Sequence, residues 1–152
     1  RMTRLKAMAA LLLFSTAAGA CGSAADAAEE MTVYATPTCG CCKAWIEYVE
    51  ENGFSVKVVY QNDLSAIKAE HKVPAELTSC HLGVVGDYAF EGHVPADVVK
   101  RVLAERPAVL GVAVPGMPMG SPGMEMPDGR TQPYEVYSFV ESGPDAVYEY
   151  RN

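Results

Sequence analysis

The sequence has few basic residues and no long apolar run, and both absences exclude classes of function. Only 12 Lys and Arg stand against 19 Asp and Glu among 152 residues, which gives a formal net charge of −7. No basic patch is visible, so nucleic acid is not an expected partner. The apolar run at residues 8–14 is too short to span a bilayer. The chain length suits one domain with a modest core.

The first twenty residues have the pattern of a secretory signal. Three basic residues precede the apolar run, and small residues follow it, ending in Ala18-Gly19-Ala20-Cys21. We therefore predict a signal peptide at residues 1–20, a linker at 21–30, and an exported, periplasmic protein. Two kinds of cleavage fit this pattern. A lipobox-like cut before Cys21 would put lipid on that cysteine and tether the protein to a bacterial membrane, whereas an ordinary Ala-x-Ala cut would leave a soluble product.

Cysteine is sparse, yet three of the five cysteines crowd into four residues of the stretch Thr38-Cys-Gly-Cys-Cys-Lys43. Free thiols tend to oxidise outside the cytoplasm. Beyond Cys21 the chain holds four cysteines, with Cys80 as the fourth, and an even count permits two disulfides. Disulfides between such close neighbours would close only short loops, which stabilises a fold little. The cluster therefore indicates chemistry rather than a structural role.

Cys39 and Cys42 have Cys-x-x-Cys spacing at a predicted strand-to-helix turn. Thioredoxin-like redox enzymes carry their dithiol at such a turn. Backbone N–H groups at the start of the helix stabilise a thiolate there, so we expect a depressed thiol pKa. Cys41 departs from that pattern, because a dithiol oxidoreductase has no evident use for a third thiol. A metal site does have a use for it.

The order of predicted elements favours an α/β fold of the thioredoxin-like type over residues 31–106. Apolar periodicity and turn residues predict strand, helix, strand, helix, strand, strand, helix. The predicted strands are 31–35, 54–60, 82–85 and 88–90, and the predicted helices begin near residues 41, 63 and 95. We predict that residues 107–152 form an appendix, with a loop rich in Gly, Pro and Met followed by a closing strand pair at 134–140 and 146–150.

Cys80 and His81 directly precede the third predicted strand. In a thioredoxin-like layout this position lies opposite the Cys-x-x-Cys loop, and such proteins usually have a cis-proline there. We therefore predict that Cys80 faces the clustered cysteines, with His81 nearby. The alternative is a buried, inert cysteine and a surface histidine. His93, at the end of the predicted hairpin, is a further candidate ligand, with a purely structural histidine as its alternative.

Four methionines fall within ten residues, interleaved with Gly and Pro: Met117, Met119, Met124 and Met126. Proline excludes a regular helix here, so helical packing does not explain them. They either fill gaps under a loop or bind metal through thioether sulfur, which suits Cu(I) far better than Zn, Ca or Mg. Cysteines alone would also permit zinc. We predict copper as Cu(I), with more than one ion, and zinc as the alternative.

Four segments make the sequence recognisable: residues 34–45, 73–81, 91–96 and 113–126. Together they resemble the CopG-type family of exported copper-resistance proteins, a predicted metal-binding domain of unknown function, over roughly residues 31–140. The resemblance implies a thioredoxin-like fold and a role in handling toxic copper outside the cytoplasm, in company with other periplasmic copper-handling proteins. It also implies conversion between Cu(II) and Cu(I). The implied copper ligands are Cys39, Cys41, Cys42 and Cys80, followed by His81, His93, Met117, Met119, Met124 and Met126.

Three functions stay open from the sequence. The first is a copper-binding protein that sequesters or converts copper, with Cys39 and Cys42 as a redox pair. The second is a periplasmic thiol–disulfide oxidoreductase acting on proteins, which would have no use for Cys41. The third is a structural zinc module, which leaves the methionines unexplained.

Overall fold

The computed structural model describes residues 28–152, which form three helices and one seven-stranded sheet. The predicted signal peptide and the lipidation site at Cys21 lie outside the described residues. The strands are β1 (Glu30–Ala35), β2 (Ser55–Tyr60), β3 (Leu82–Val85), β4 (Tyr88–Gly92), β5 (Gly111–Val114), β6 (Tyr134–Val140) and β7 (Gly143–Arg151). The helices are α1 (Gly40–Glu51), α2 (Ser65–Glu70) and α3 (Ala96–Glu105), and a 3-10 turn spans Ala75–Leu77.

The strands lie in the order β2-β1-β3-β4-β5-β6-β7. β1 runs parallel to β2, and β4 runs parallel to β5. The other neighbouring pairs are antiparallel. From β1 to α3 the elements follow the predicted order, so the α/β prediction is confirmed. The thioredoxin-like assignment stays a prediction.

Helix α1 begins at the cysteine-rich stretch because Cys39 caps it. The Sγ atom of Cys39 accepts a hydrogen bond from the backbone N–H of Cys42 at 3.2 Å. Apolar residues then recur at helical spacing and are buried on one face: Cys42, Trp45, Ile46 and Val49. Burial of this face fixes the direction in which the helix leaves β1, and it thereby places the cysteines at the end of the sheet.

The sequence does not predict strand β5, because residues 111–114 fall within the predicted loop rich in Gly, Pro and Met. Its four residues are buried, and it pairs with both β4 and β6. A four-residue strand covered on both faces shows neither alternation nor helical periodicity, so the sequence carries no local signal for it. The strand joins the predicted closing pair, which is present as β6 and β7, to the rest of the sheet.

Each face of the sheet has its own apolar core. The larger one includes Trp45 of α1, Phe90 of β4 and the buried valines of α3. The smaller one, on Leu82 and Phe139, is completed by Leu77 of the 3-10 turn. Over residues 28–152, none of the helices combines the length and the apolar character needed to cross a membrane.

Candidate metal centre

The start of α1 presents three cysteine sulfurs in two chemical states. Cys39 and Cys42 form a disulfide, with Cα atoms 5.3 Å apart. Cys41 is a free, half-buried thiol, and its Sγ atom lies 3.5 Å from Cys39 Sγ. Cys42 is fully buried. Cys39 and Cys42, the predicted redox pair, are thus joined by a disulfide that the third thiol contacts, and their redox role stays a prediction.

Cys80 reaches the same place from the segment before β3. Its Sγ atom lies 3.7 Å from Cys41 Sγ, and Cys42 Sγ lies 3.7 Å from the backbone oxygen of Cys80. All four Sγ atoms lie within 4.8 Å of one another. We call Cys39, Cys41, Cys42 and Cys80 the sulfur cluster. Four sulfurs this close offer a complete set of soft ligands once the disulfide is reduced.

Two imidazoles flank Cys80 on its buried side. His81 Nδ1 and His93 Nε2 each lie 3.2 Å from Cys80 Sγ, and both rings are fully buried. The alternative of a surface His81 is therefore wrong. His93 Nδ1 lies 2.8 Å from the backbone oxygen of Pro122, and only a protonated Nδ1 can donate to a carbonyl. That bond leaves the Nε2 lone pair of His93 aimed at Cys80, as in histidines that ligate metals.

Burial keeps this side of the cluster uncharged when no metal is bound. Burial and, secondly, the neighbouring Cys41 together raise the pKa of the Cys80 thiol to about 12. Burial also lowers the pKa of both imidazoles, and at His81 repulsion from Lys68 and from a protonated His93 lowers it further. At neutral pH the group is thus a protonated thiol beside two neutral rings. Neutral imidazole is the form that binds metal, and a bound cation displaces the thiol proton.

The Met-rich segment brings Met117 to the cluster. Its Sδ atom lies 3.9 Å from Cys41 Sγ, and its side chain is 54% exposed. Further along, the segment packs on α1, because a Cβ at Gly123 would lie 2.8 Å from the backbone nitrogen of Trp45 and 3.0 Å from the backbone oxygen of Cys41. Met117 is thus placed on the solvent side, opposite the imidazoles.

The other three methionines are placed differently. Met119, Met124 and Met126 are half-buried. Within residues 28–152, no hydrogen bond joins their sulfur atoms to the sulfur cluster. Their role as ligands stays a prediction, as does the alternative that they fill gaps under the loop.

A buried ion pair behind Cys80 was not predicted. Lys68 Nζ lies 2.7 Å from Glu91 Oε1, and both groups also bond the backbone of Ser79. Two local signals could have found the pair. Lys68 follows Leu64, the buried residue directly before α2, by four residues, so the two side chains share one face of the helical turn. Glu91 interrupts the apolar run of β4.

Two comparisons with known proteins cover the site to different extents, and the family model covers only its part from Cys80 onward. The family described as "Protein of unknown function, DUF411" matches residues 77–124, which include Cys80, both buried histidines and Met117. Two solved structures, "Copper resistance protein copG- Form 1" and "Form 2", each have a TM-score of 0.76 and cover 82% of this chain. Their sequence identities are 44% and 42%, over 98% and 99% of those chains. No curated protein matches the chain.

Proposed function

Because the chain belongs to the family of the copper resistance protein CopG, we propose that it is a copper-binding protein of copper resistance. The observation that carries this proposal is the convergence of four cysteine sulfurs within 4.8 Å. Thiolate and thioether are soft ligands that select Cu(I) over harder cations. Cu(I) is thus the cargo that best matches the donors at this site.

We assign the ligands by their position around Cys80. Its sulfur belongs to two groups of donors, the sulfur cluster on one side and the pair His81 and His93 on the other. A shared thiolate can bridge metal ions, so the proposal includes more than one Cu(I) per chain. Met117 supplies a thioether from the solvent side. Met119, Met124 and Met126 are kept as further candidate ligands.

We also propose that the site reduces Cu(II). Two thiols, on Cys39 and Cys42, give one electron each to two Cu(II) ions. The products are two Cu(I) ions, the Cys39–Cys42 disulfide and two protons. The disulfide bonded form would then be the product state, in which Cys41, Cys80 and Met117 remain to hold Cu(I). A thiol reductant outside this chain would return the disulfide to two thiols.

An anaerobic titration tests both parts. The full chain, reduced and freed of reductant, is titrated with Cu(I) against a competing chromophoric chelator. We expect more than one tightly held copper per chain, and fewer when the Cys39–Cys42 disulfide is left intact. Added Cu(II) should yield Cu(I) with loss of one free thiol per copper reduced. A single copper that zinc displaces easily would contradict the proposal and favour the zinc site.

A second function is favoured by the disulfide itself. Cys39, half-buried at the N-terminus of α1, has the position of the attacking thiol in a thiol–disulfide oxidoreductase. The contact of Cys41 with Cys39 argues against the oxidoreductase function, because a third thiol 3.5 Å from Cys39 Sγ can form the wrong disulfide. An insulin-reduction assay without metal separates the two functions. Brisk turnover would favour the oxidoreductase, and negligible turnover with tight Cu(I) binding would favour the copper protein.

We further propose that residues 31–106 are a thioredoxin-like unit. Support comes from the order of the elements along the chain and from the strand order β2-β1-β3-β4. Within these four strands, β1 and β2 run parallel, and the pairs β1–β3 and β3–β4 run antiparallel. A crystal structure of the reduced protein that fails to superpose on thioredoxins over this range would refute it.

Export of the protein is proposed on its family membership and on the signal-like residues 1–20. Mass spectrometry of the mature N-terminus tests export and lipidation together. Lipid on Cys21 would make the protein membrane-tethered, an unmodified cut would leave it free in the periplasm, and an uncut chain would contradict export.

A further inference from the structure

The ion pair of Lys68 and Glu91 is almost completely buried, and a gain in stability does not explain why two charges lie there. The two side chains are 9% and 0% exposed. Taking two charges out of water costs free energy that their attraction repays only in part, and an apolar pair of similar size often stabilises a fold as well or better. The role of this pair is therefore better explained by the groups to which it is hydrogen-bonded.

The pair holds the backbone of Ser79, the residue directly before Cys80. The N–H of Ser79 donates to Glu91 Oε1 at 2.6 Å, and its carbonyl oxygen accepts from Lys68 Nζ at 2.6 Å. Strand β3 begins only at Leu82, so the strand ladder does not fix Ser79. Instead, two hydrogen bonds to charged side chains hold its backbone, and such hydrogen bonds are stronger than those between neutral groups.

The side chain of Ser79 ties a second part of the centre to the first. Its Oγ donates to the backbone oxygen of Gly116, the residue before Met117. Gly92 leaves the space that this arrangement needs: its φ is +73°, and a Cβ there would lie 2.6 Å from Ser79 Cβ. The next residue, His93, contacts Cys80 Sγ. Three consecutive residues at the end of β4, Glu91, Gly92 and His93, thus contact or leave room for the segment of Ser79 and Cys80.

We propose that Lys68, Glu91 and Ser79 are positioning residues for the copper centre. The ion pair holds Cys80 against the sulfur cluster, and the serine hydroxyl links that segment to the Met117 arm. This inference rests on the proposed function, because the positioning matters only if the sulfurs bind copper. Ligands held in place before binding lose less freedom when the ion arrives, so releasing them lowers affinity although every ligand is still present.

Two variants test the proposal in the full-length reduced protein. Ser79→Ala removes the link to Gly116 and leaves the ion pair intact. The double change Lys68→Met with Glu91→Leu removes both charges, so no unpaired charge is left buried. We expect each variant to unfold at nearly the wild-type urea concentration when metal-free, but to bind Cu(I) about 10- to 100-fold more weakly, as changes behind metal ligands do. Glu149→Gln, which breaks the Arg101–Glu149 pair between α3 and β7, is the matched control and should bind as wild type.

Two readouts separate positioning from general destabilisation. X-ray absorption of the loaded Ser79→Ala protein should show fewer sulfur neighbours per copper than the wild type. Ser79→Ala and Met117→Leu should also be non-additive, since the hydroxyl acts through the arm that carries Met117. If the losses of Cu(I) affinity in the two variants simply add, the proposed link between Ser79 and Met117 is wrong.

The outcomes distinguish this inference from the function on which it rests. A wild-type chain that does not bind Cu(I) overturns both proposals. A wild-type chain that binds Cu(I), with Ser79→Ala and the double variant binding equally well, overturns the positioning role alone. If the double variant does not fold, Ser79→Ala still decides whether the Ser79 hydroxyl positions the centre, because it removes one hydroxyl and no charge.

Discussion

Replacing Gly92 with alanine should both destabilise the fold and disturb the proposed copper centre. The residue has φ +73°, and a left-handed backbone costs an L-amino acid about 1–2 kcal/mol. The new Cβ would also lie 2.5 Å from the backbone oxygen of Val114 and 2.6 Å from Ser79 Cβ. Because neither atom is the tip of a flexible side chain, strand β5 or the Ser79 segment must shift, and overpacking of this kind costs about 1–3 kcal/mol. The expected loss of unfolding free energy is about 2–5 kcal/mol.

Gly86→Ala is the matched control for this change. Gly86 also has a left-handed backbone, φ +56°, but nothing lies within 4 Å of a Cβ placed there. It should therefore show only the backbone cost of about 1–2 kcal/mol. The gain from a less flexible unfolded chain is common to both substitutions and cancels in the comparison.

Urea unfolding of the metal-free proteins measures the difference between the two variants. The fluorescence of Trp45 is a suitable signal, because it is the single tryptophan and is fully buried. Equal losses in the two variants would refute the steric reasoning. In that case the contact between Gly92 and Ser79 would not constrain the segment that carries Cys80.

Four further predictions concern the sulfurs. Cys41→Ser should weaken Cu(I) binding by more than about 100-fold, since changes behind the ligands already cost 10- to 100-fold; an unchanged affinity in the chelator competition would contradict a role for this thiol. Met117→Leu should weaken Cu(I) binding about tenfold, about 1.4 kcal/mol, while Met126→Leu should not, and the reverse order would show that the Met-rich segment binds copper in another arrangement. Alkylation of Cys80 in the metal-free protein should accelerate about tenfold per pH unit between pH 8 and 11, because only the thiolate reacts and the thiol pKa is raised to about 12; peptide mapping that finds a plateau near pH 9 would contradict that shift. Since the folded-state pKa of Cys80 exceeds that of the unfolded chain, stability should also fall as the pH rises from about 9 toward 12, and Cys80→Ser should lessen the fall.

The elements up to α3 were predictable because their signals are local. The apolar period of α1 and the turn at Gly86-Asp87 can be read within a few residues of each element. Strand β5 could not be predicted in this way, because its short buried run gains its strand character from β4 and β6 on either side. That pairing is set by the tertiary fold and not by local preference.

The centre was predictable in its residue types and less so in its arrangement. Three neighbouring cysteines at a helix start point to thiol chemistry from sequence alone. The contacts of Cys80 required a guess about fold layout, and the difference between Met117 and the other methionines depends on the path of an irregular segment. The local signals for the ion pair are weak, because lysine and glutamate are usually exposed to solvent, and only the packing of α2 and β4 brings Lys68 and Glu91 together.

The position of β5 has a consequence for how this protein can be divided. In the sequence, residues 107–152 look like an attachment that could be gained, lost or transplanted as a unit. In the fold they begin with a strand that covers β4, whose five residues are all buried. A chain shortened after α3 would lose the Met117 arm and would also leave β4 as a bare sheet edge, open to pairing with another copy. The segment that carries Met117 and the sheet are therefore parts of one folded unit, and removing the residues after α3 would uncover β4.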